Sequence, residues 1–178
     1  MIKLLSKFIL RLIGWKAVGD FPEGNKYVVI AAPHTSFLDF PIGRLYYSSL
    51  GKKVHFMVKG SYFFFPLGLI LRSLGAIPVY KNNKISLADQ MVEEFNTRDQ
   101  FLLTIAPEGT RKKVKRWKKG FYYIAKKAEV PIVLGFLDFK NKEVGVGGLY
   151  HITDNENADI VNIMDFYKDK AGRHPELF

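Results

Sequence analysis

A histidine and an aspartate that suit proton transfer lie five positions apart, at His34 and Asp39. A histidine accepts a proton from a hydroxyl near neutral pH, and a carboxylate on its other ring nitrogen fixes the tautomer and stabilises the imidazolium. The pair therefore suits general-base catalysis. The segment also suits a structural role, because Ser36 and Asp39 have the spacing of a helix capping box. Taken alone, residues 33–39 leave both interpretations open.

A second segment with suitable chemistry is Ala-Pro-Glu-Gly-Thr-Arg, at residues 106–111. Gly109 allows a tight turn that exposes backbone N–H groups, and Thr110 adds a hydroxyl. Arg111 offers a planar pair of donors that matches a phosphate. Glu108 is unusual in an anion site, where it would either hold Arg111 or bond a substrate hydroxyl. An ordinary turn is the alternative interpretation.

The charge of the chain predicts an anionic partner. The 178 residues carry a net charge of +10, and basic residues crowd positions 111–119 around Trp117. Nucleic acid, anionic membrane and phosphorylated substrates all fit this excess. The tryptophan suits either lipid headgroups or a stacked base. The chain has no cysteine, which excludes disulfides, thiolate catalysis and cysteine-ligated metals.

Both candidate segments follow apolar runs that predict buried strands, at residues 26–32 and 101–106. Further strands are predicted at 53–58, 76–80, 130–139 and 143–150, and helices at 40–50, 60–74, 85–95, 121–128 and 158–170. This alternation predicts a single α/β domain whose sheet is largely parallel or mixed and is flanked by helices. In such sheets ligands bind at the strand ends.

The first fifteen residues predict a basic amphipathic helix. Its apolar positions recur at helical spacing, with Lys3, Lys7 and Arg11 beside them. Such a helix lies in a membrane interface or packs on the domain. The basic residues interrupt any signal-peptide core, and no segment has the ~18–20 apolar residues that a membrane-spanning helix needs.

In four blocks the sequence resembles the lysophosphatidate acyltransferase family, whose members acylate glycerol-phosphate lipids. The blocks, in the family's order, are residues 34–39, 75–81, 107–111 and 130–133. His-x4-Asp alone is weak evidence, but together with Pro-Glu-Gly-Thr-Arg at this separation it is highly specific. The resemblance spans residues 26–140.

This resemblance implies an O-acyltransferase that moves a fatty acyl group from an acyl thioester, acyl-CoA or acyl carrier protein (acyl-ACP), to a lysophospholipid hydroxyl. The implied acceptor is 1-acyl-glycerol-3-phosphate, in phospholipid synthesis. His34 would be the general base and Asp39 its orienting partner. The implied substrate-binding residues are Lys59, Lys81, Glu108, Gly109, Thr110 and Arg111. No metal and no cofactor other than the acyl donor are expected.

Two departures from the family pattern matter. Lys81 replaces an arginine that many members carry, which keeps the charge but loses the two-pronged geometry. A non-phosphate lyso-lipid, such as an N-acyl amino-acid lipid, is therefore the alternative acceptor. The chain also has room for one N-terminal helix only. We expect residues 1–15 to be a membrane-interface helix and 16–178 the acyltransferase domain, peripheral or monotopic on the cytoplasmic face of an anionic membrane.

Three further expectations complete this interpretation. A basic nucleic-acid-binding domain would explain the charge but not the paired motifs, so no nucleic-acid partner is expected. The apolar segment 63–67 would either line an acyl groove or join the core. Transfer is predicted to be direct, without an acyl-enzyme, because the chain lacks cysteine and a Gly-x-Ser-x-Gly motif.

Overall fold

The computed structural model describes residues 1–80, 85–153 and 155–178. Its strands are β1 (Lys16–Val18), β2 (Lys26–Ala32), β3 (Val54–Lys59), β4 (Ala76–Val79), β5 (Phe101–Ile105), β6 (Ile132–Asp138) and β7 (Glu143–Tyr150). Its α-helices are α1 (Ile2–Leu12), α2 (Asp39–Leu50), α3 (Leu67–Ser73), α4 (Leu87–Thr97), α5 (Gly120–Lys127) and α6 (Glu156–Phe166). Single 3₁₀ turns occur at Gly60–Tyr62 and Pro175–Leu177.

All seven described strands form one sheet, in the order β1-β7-β6-β2-β5-β3-β4. The five strands from β6 to β4 are parallel, whereas β7 is antiparallel to β6 and β1 is parallel to β7. The prediction of one α/β domain with a largely parallel, mixed sheet is confirmed. Because parallel strands end at the same edge, the segments after β2, β5, β3 and β4 meet there.

Helices cover both faces of the sheet. Along β2, Val28 and Ile30 join a buried cluster with residues of α4, α5 and α6. The alternate residues Tyr27 and Val29 join a second cluster with α1 and α2. Successive side chains of a strand point to opposite faces, so a strand covered on both sides is apolar at every position. This is why the central strands are readable as continuous apolar runs.

Local sequence signals explain several helix ends. In α2, Pro41 lies in the first turn, where its missing N–H would have no partner within the helix. The helix ends at Gly51, whose φ of +71° suits glycine. In α4, the sequence supplies a cap, since Ser86 Oγ accepts the Asp89 N–H at 3.1 Å.

The predicted helix at 60–74 is wrong in its first half. Residues 60–62 form a 3₁₀ turn, and α3 begins only at Leu67. Pro66 lacks the N–H that a continuous helix needs, and a proline disfavours helical backbone at Phe65 before it. Strand β1 is an element that the sequence did not reveal, because it has three residues and, among the described strands, pairs with β7 alone.

Helix α1 is present where it was predicted, and most of its apolar surface is uncovered. Leu10 is buried against the domain. The apolar residues Ile2, Leu4, Leu5, Phe8, Leu12 and Ile13 are exposed. None of the helices in the described ranges has the length and apolar content to cross a membrane. The membrane role of residues 1–15 stays a prediction.

Candidate active site

The residues between β2 and α2 bring the predicted catalytic pair together. His34 follows β2, Asp39 is the first residue of α2, and His34 Nδ1 lies 2.9 Å from Asp39 Oδ2. The same carboxylate oxygen accepts the Ser36 backbone N–H at 2.9 Å. Asp39 therefore braces the turn that returns toward His34. Ser36 Oγ also accepts the Leu38 N–H at 3.2 Å, so Ser36 and Asp39 make bonds of the kind found in a capping box. Asp39 therefore has a structural role at the start of α2 beside its contact with His34.

The two members of the pair differ in exposure. The Asp39 side chain is 4% exposed, whereas that of His34 is 25% exposed. A buried carboxylate at hydrogen-bonding distance from Nδ1 favours the tautomer in which Nδ1 carries the hydrogen. Nε2 of His34 then has the lone pair that accepts a proton. The arrangement fits a general base with a fixed orientation.

Glu108, which follows β5, supports His34 from the neighbouring strand. Its Oε1 accepts the His34 backbone N–H at 2.9 Å, and the side chain is buried. Burial raises the pKa of the Glu108 carboxyl, which the bond from His34 only partly opposes. Its Oε2 has no hydrogen-bond partner among the described residues. The sequence suggested a contact with Arg111 or with substrate. The contact present is with the His34 backbone, and a contact with substrate stays a prediction.

The turn after Glu108 has the predicted shape. Gly109 adopts a φ of +63°, a left-handed conformation that suits glycine. Its N–H donates to the Ala106 carbonyl at 3.0 Å, and the Lys118 N–H donates to the Pro107 carbonyl at 2.8 Å. Thr110 is exposed. The turn is thus fixed at its base, while its tip is open to solvent.

Arg111 reaches the loop of the catalytic pair through an aromatic contact. Its guanidinium carbon lies 3.6 Å from the centre of the Phe37 ring, within cation–π distance. Both side chains are exposed. The contact links the segment after β5 with the segment after β2. The sequence reasoning missed Phe37, whose only signal was its place between His34 and Asp39.

The other predicted substrate residues lie farther along the edge. Lys59 is the last residue of β3, exposed, and opposite Val79 of β4. Lys81 lies outside the described residues. The structure therefore brings His34, Asp39 and Glu108 into direct contact and leaves Lys59 on the same edge, two strands from β2.

An apolar cavity of about 340 Å³ lies between α2 and the sheet, with His34 and Asp39 in its lining. Small residues of three elements leave it open: Ala31 in β2, Gly43 in α2 and Gly135 in β6. A side chain on Gly135 would meet the Ile30 carbonyl oxygen at 2.5 Å. The sequence reasoning missed this cavity, because its walls come from distant parts of the chain.

Three polar atoms in residues that line this cavity are buried without a hydrogen-bond partner among the described residues: Asp39 Oδ1, Tyr46 Oη and Thr104 Oγ1. Burial raises the pKa of Tyr46 to about 12, so its hydroxyl stays protonated at neutral pH. Unpaired buried polar atoms are costly, so they are suited to bind water or a polar group of a ligand.

Trp117 does not have the exposed position that the sequence suggested. Its ring is half-buried and contacts the rings of Phe121, Tyr167 and Phe178. It therefore packs on the core beneath the basic run, which stays exposed around it. Within the described ranges, no three histidine, aspartate or glutamate side chains cluster as metal ligands would.

Comparison with known proteins connects this site to one enzyme family. The sequence profile of the family described as Acyltransferase matches residues 15–133. The fold is similar to that of a 1-acyl-sn-glycerophosphate acyltransferase, PlsC from Thermotoga maritima, with a TM-score of 0.63 and 18% sequence identity. The match covers 94% of this chain and 75% of the other. Among curated protein sequences, none matches significantly.

Proposed function

Because the chain belongs to the acyltransferase family, we propose that it moves a fatty acyl group from an acyl thioester to the hydroxyl of a lyso-lipid. The observation that carries the proposal is the His34–Asp39 pair, with 2.9 Å between Nδ1 and Oδ2, beside an apolar cavity. The proposed acceptor is 1-acyl-glycerol-3-phosphate, and the proposed donor is acyl-CoA or acyl-ACP. The reaction would belong to phospholipid synthesis.

In the proposed reaction, His34 Nε2 takes the proton of the acceptor hydroxyl while the oxygen attacks the carbonyl carbon of the thioester. Asp39 holds Nδ1–H and stabilises the imidazolium that forms. The C–S bond of the tetrahedral intermediate then breaks, and the thiolate takes the proton from Nε2. The products are an ester and a thiol. Transfer is direct, so the protein never carries the acyl group.

The cavity is the proposed site of the acyl chain. Its lining is mostly apolar, and it reaches the catalytic pair. Gly43 offers a test, because a side chain on it would point into open space and would also favour the helix. We expect Gly43→Leu to shift the donor preference toward shorter acyl chains, with Gly43→Ala as the matched control. An unchanged chain-length profile in Gly43→Leu would contradict this use of the cavity.

The acceptor phosphate is proposed to bind on the exposed cations Arg111 and Lys59, with Gly109 and Thr110 at the turn. Solvated cations attract an anionic headgroup without first losing a buried partner. Glu108 has a supporting role in this proposal, since its carboxylate holds the His34 backbone. Lys81 belongs to the proposed acceptor site through the resemblance alone.

Membrane attachment is proposed through residues 1–15, ahead of an acyltransferase domain at 16–178. The exposed apolar side of α1 and its three basic residues support this division. Each basic residue near an anionic surface contributes on the order of 1 kcal/mol, reduced by salt. Cosedimentation with anionic vesicles should weaken in Phe8→Ser, which spares the buried Leu10. Undiminished binding would place the attachment elsewhere.

The decisive experiment offers acyl-CoA and acyl-ACP with a panel of lyso-lipids and identifies the product by mass. We expect an acylated lysophosphatidate from the wild-type chain and none from His34→Ala. Acylation only of acceptors without phosphate would favour the alternative, an N-acyl amino-acid lipid or a similar acceptor. An acyl adduct on the protein itself, passed on to acceptor, would contradict direct transfer. Absence of any transfer by the wild type would overturn the proposal.

A further inference from the structure

The segment that joins β3 to β4 is apolar and open to solvent. Phe64 and Phe65 expose 59% and 84% of their surface, and Leu69 and Ile70 of α3 expose 63% and 54%. The sequence suggested that residues 63–67 line an acyl groove or join the core. The core expectation is wrong, because residues 63–67 are absent from both buried clusters. They are also absent from the lining of the cavity beside His34, so their use as an acyl groove stays a prediction.

Two further exposed apolar residues lie on the loop of the catalytic pair. Phe37 and Leu38, between His34 and Asp39, are exposed by 76% and 41%. They follow β2, and residues 60–66 follow β3, so both lie beyond the carboxyl ends of parallel strands. Helix α3 leads from there back to the start of β4. We call this surface the rim patch and define it as Phe37, Leu38, Phe64, Phe65, Leu69 and Ile70. It adjoins the candidate site.

The chain around the rim patch is rich in basic residues. Between positions 40 and 88 the sequence has seven lysines and arginines and no aspartate or glutamate. Two cations lie on rings at the patch: Arg72 is 5.2 Å from the centre of Phe63, and Arg111 is 3.6 Å from that of Phe37. Exposed aromatic rings beside cations are typical of surfaces that sit at the headgroup level of an anionic bilayer.

We propose that the rim patch inserts into the surface of an anionic bilayer, as a second membrane contact in addition to α1. The choice of a bilayer as the partner of this surface rests on the proposed function, because a lyso-lipid acceptor resides in a bilayer. With Phe37 and Phe65 inserted, the edge that carries His34 faces the lipid. An acceptor then moves sideways from the bilayer to His34 without crossing water.

The absence of cysteine allows a direct test, since a single introduced cysteine is the only labelled position. Phe65→Cys carries an environment-sensitive fluorophore in the patch. Val161→Cys is the matched control: it is 65% exposed on α6, whose buried residues pack on the face opposite α1 and α2. Both labelled proteins keep α1 and are mixed, without substrate, with vesicles of phosphatidylglycerol and phosphatidylcholine. Quenching by a nitroxide-bearing lipid measures the depth of the label.

We expect a blue shift and quenching for the label at position 65 and neither for the label at 161. An unchanged label at 65, on vesicles that cosediment with the protein, would overturn the proposal and leave attachment to α1 alone. A response to an acidic acyl carrier protein but not to vesicles would also overturn it, in favour of protein docking.

Transfer measured on the same proteins in detergent separates this inference from the proposed function. Acyl transfer without insertion of the label would overturn the membrane role of the rim patch and leave the proposed function standing. Insertion without acyl transfer would support the membrane role and overturn the proposed function. The double variant Phe64→Ser, Phe65→Ser should lose transfer to vesicle-borne acceptor and keep transfer to a short-chain, water-soluble one. Equal loss with both acceptors would contradict a membrane role for the patch.

Discussion

The loop after β2 and the turn after β5 adjoin on one edge of the sheet, yet they are held in opposite ways. In the first, Asp39 is buried, and one of its oxygens contacts both the His34 ring and the Ser36 backbone. In the second, Thr110 and Arg111 are exposed, and Arg111 rests on an exposed ring. In the loop after β2, the atoms proposed to react are held by hydrogen bonds. In the turn after β5, the atoms proposed to bind the acceptor are exposed to solvent.

This difference matches what each loop is proposed to do. A general base must keep its orientation before the substrate arrives, because a misplaced proton acceptor loses much of its effect. Cations that bind a lipid headgroup gain from staying solvated, since burial without a partner would be costly. Glu108 is part of the segment after β5 in the sequence, but its carboxylate contacts the loop after β2 through the His34 backbone.

The largest effect is expected from His34→Ala. Loss of a general base typically lowers the rate by about 10²–10⁴. The fold should persist, because the His34 side chain is partly exposed and its backbone N–H still reaches Glu108. Initial rates and thermal unfolding of the same preparation are the measurements. If His34→Ala kept more than a tenth of wild-type turnover, His34 would not be the general base.

Asp39→Asn should lower the rate by about 10²-fold or more, because the amide removes the charge that stabilises the imidazolium. An amide nitrogen at the Oδ2 position would also meet the Ser36 N–H, donor against donor. Ser36→Ala is the matched control, since Ser36 contacts Asp39 through its backbone and should keep its activity. A loss of stability in Asp39→Asn with normal turnover would return the carboxylate to a purely structural role.

Arg111→Lys should weaken use of the acceptor and leave use of the acyl donor unchanged. Lysine keeps the charge but loses the two-pronged donor, so kcat/KM for the acceptor should fall about tenfold while that for the donor stays unchanged. Arg116→Lys, in the same exposed run, is the control and should change neither. An effect on the thioester alone would move Arg111 to the docking of the acyl carrier.

Glu108→Gln should have the smallest effect on turnover, because the amide oxygen still accepts the His34 N–H. Its effect should appear in stability. Burial raises the pKa of Glu108 in the folded state, so the folded protein binds this proton more tightly than the unfolded chain. Stability of the wild type is therefore lost as pH rises from the unfolded value through the raised folded pKa. The Glu108→Gln side chain does not ionise, so the variant keeps this stability as the pH rises.

The melting temperature of Glu108→Gln should exceed that of the wild type at neutral pH, and the gap should close in acid. Glu176→Gln, a change at an exposed carboxyl, is the control and should show no such trend. A gain in stability joined to a large loss of turnover would show that the Glu108 charge is used on substrate. A variant less stable than the wild type at every pH would contradict the argument from burial.

Sequence alone identified the strands that carry both motifs, the helix at the N-terminus and the α/β class. It succeeded there because apolar periodicity, capping and proline act over a few residues, as at Ser86 and Pro41. The His34–Asp39 contact was also within its reach, since one bend closes it. The sequence equally placed both motifs at strand ends, because the alternation of elements predicts parallel strands.

Only the tertiary structure decided which distant residues touch. Glu108 meets the His34 backbone across 74 positions, and Arg111 meets Phe37 because β2 and β5 are neighbours in the sheet. Trp117 is half-buried although its basic neighbours suggested an exposed ring, whereas Phe64 and Phe65 are exposed although the core was one of the two places expected for them. Burial depends on what the rest of the fold brings alongside a side chain, and neither composition nor spacing within a segment contains that information.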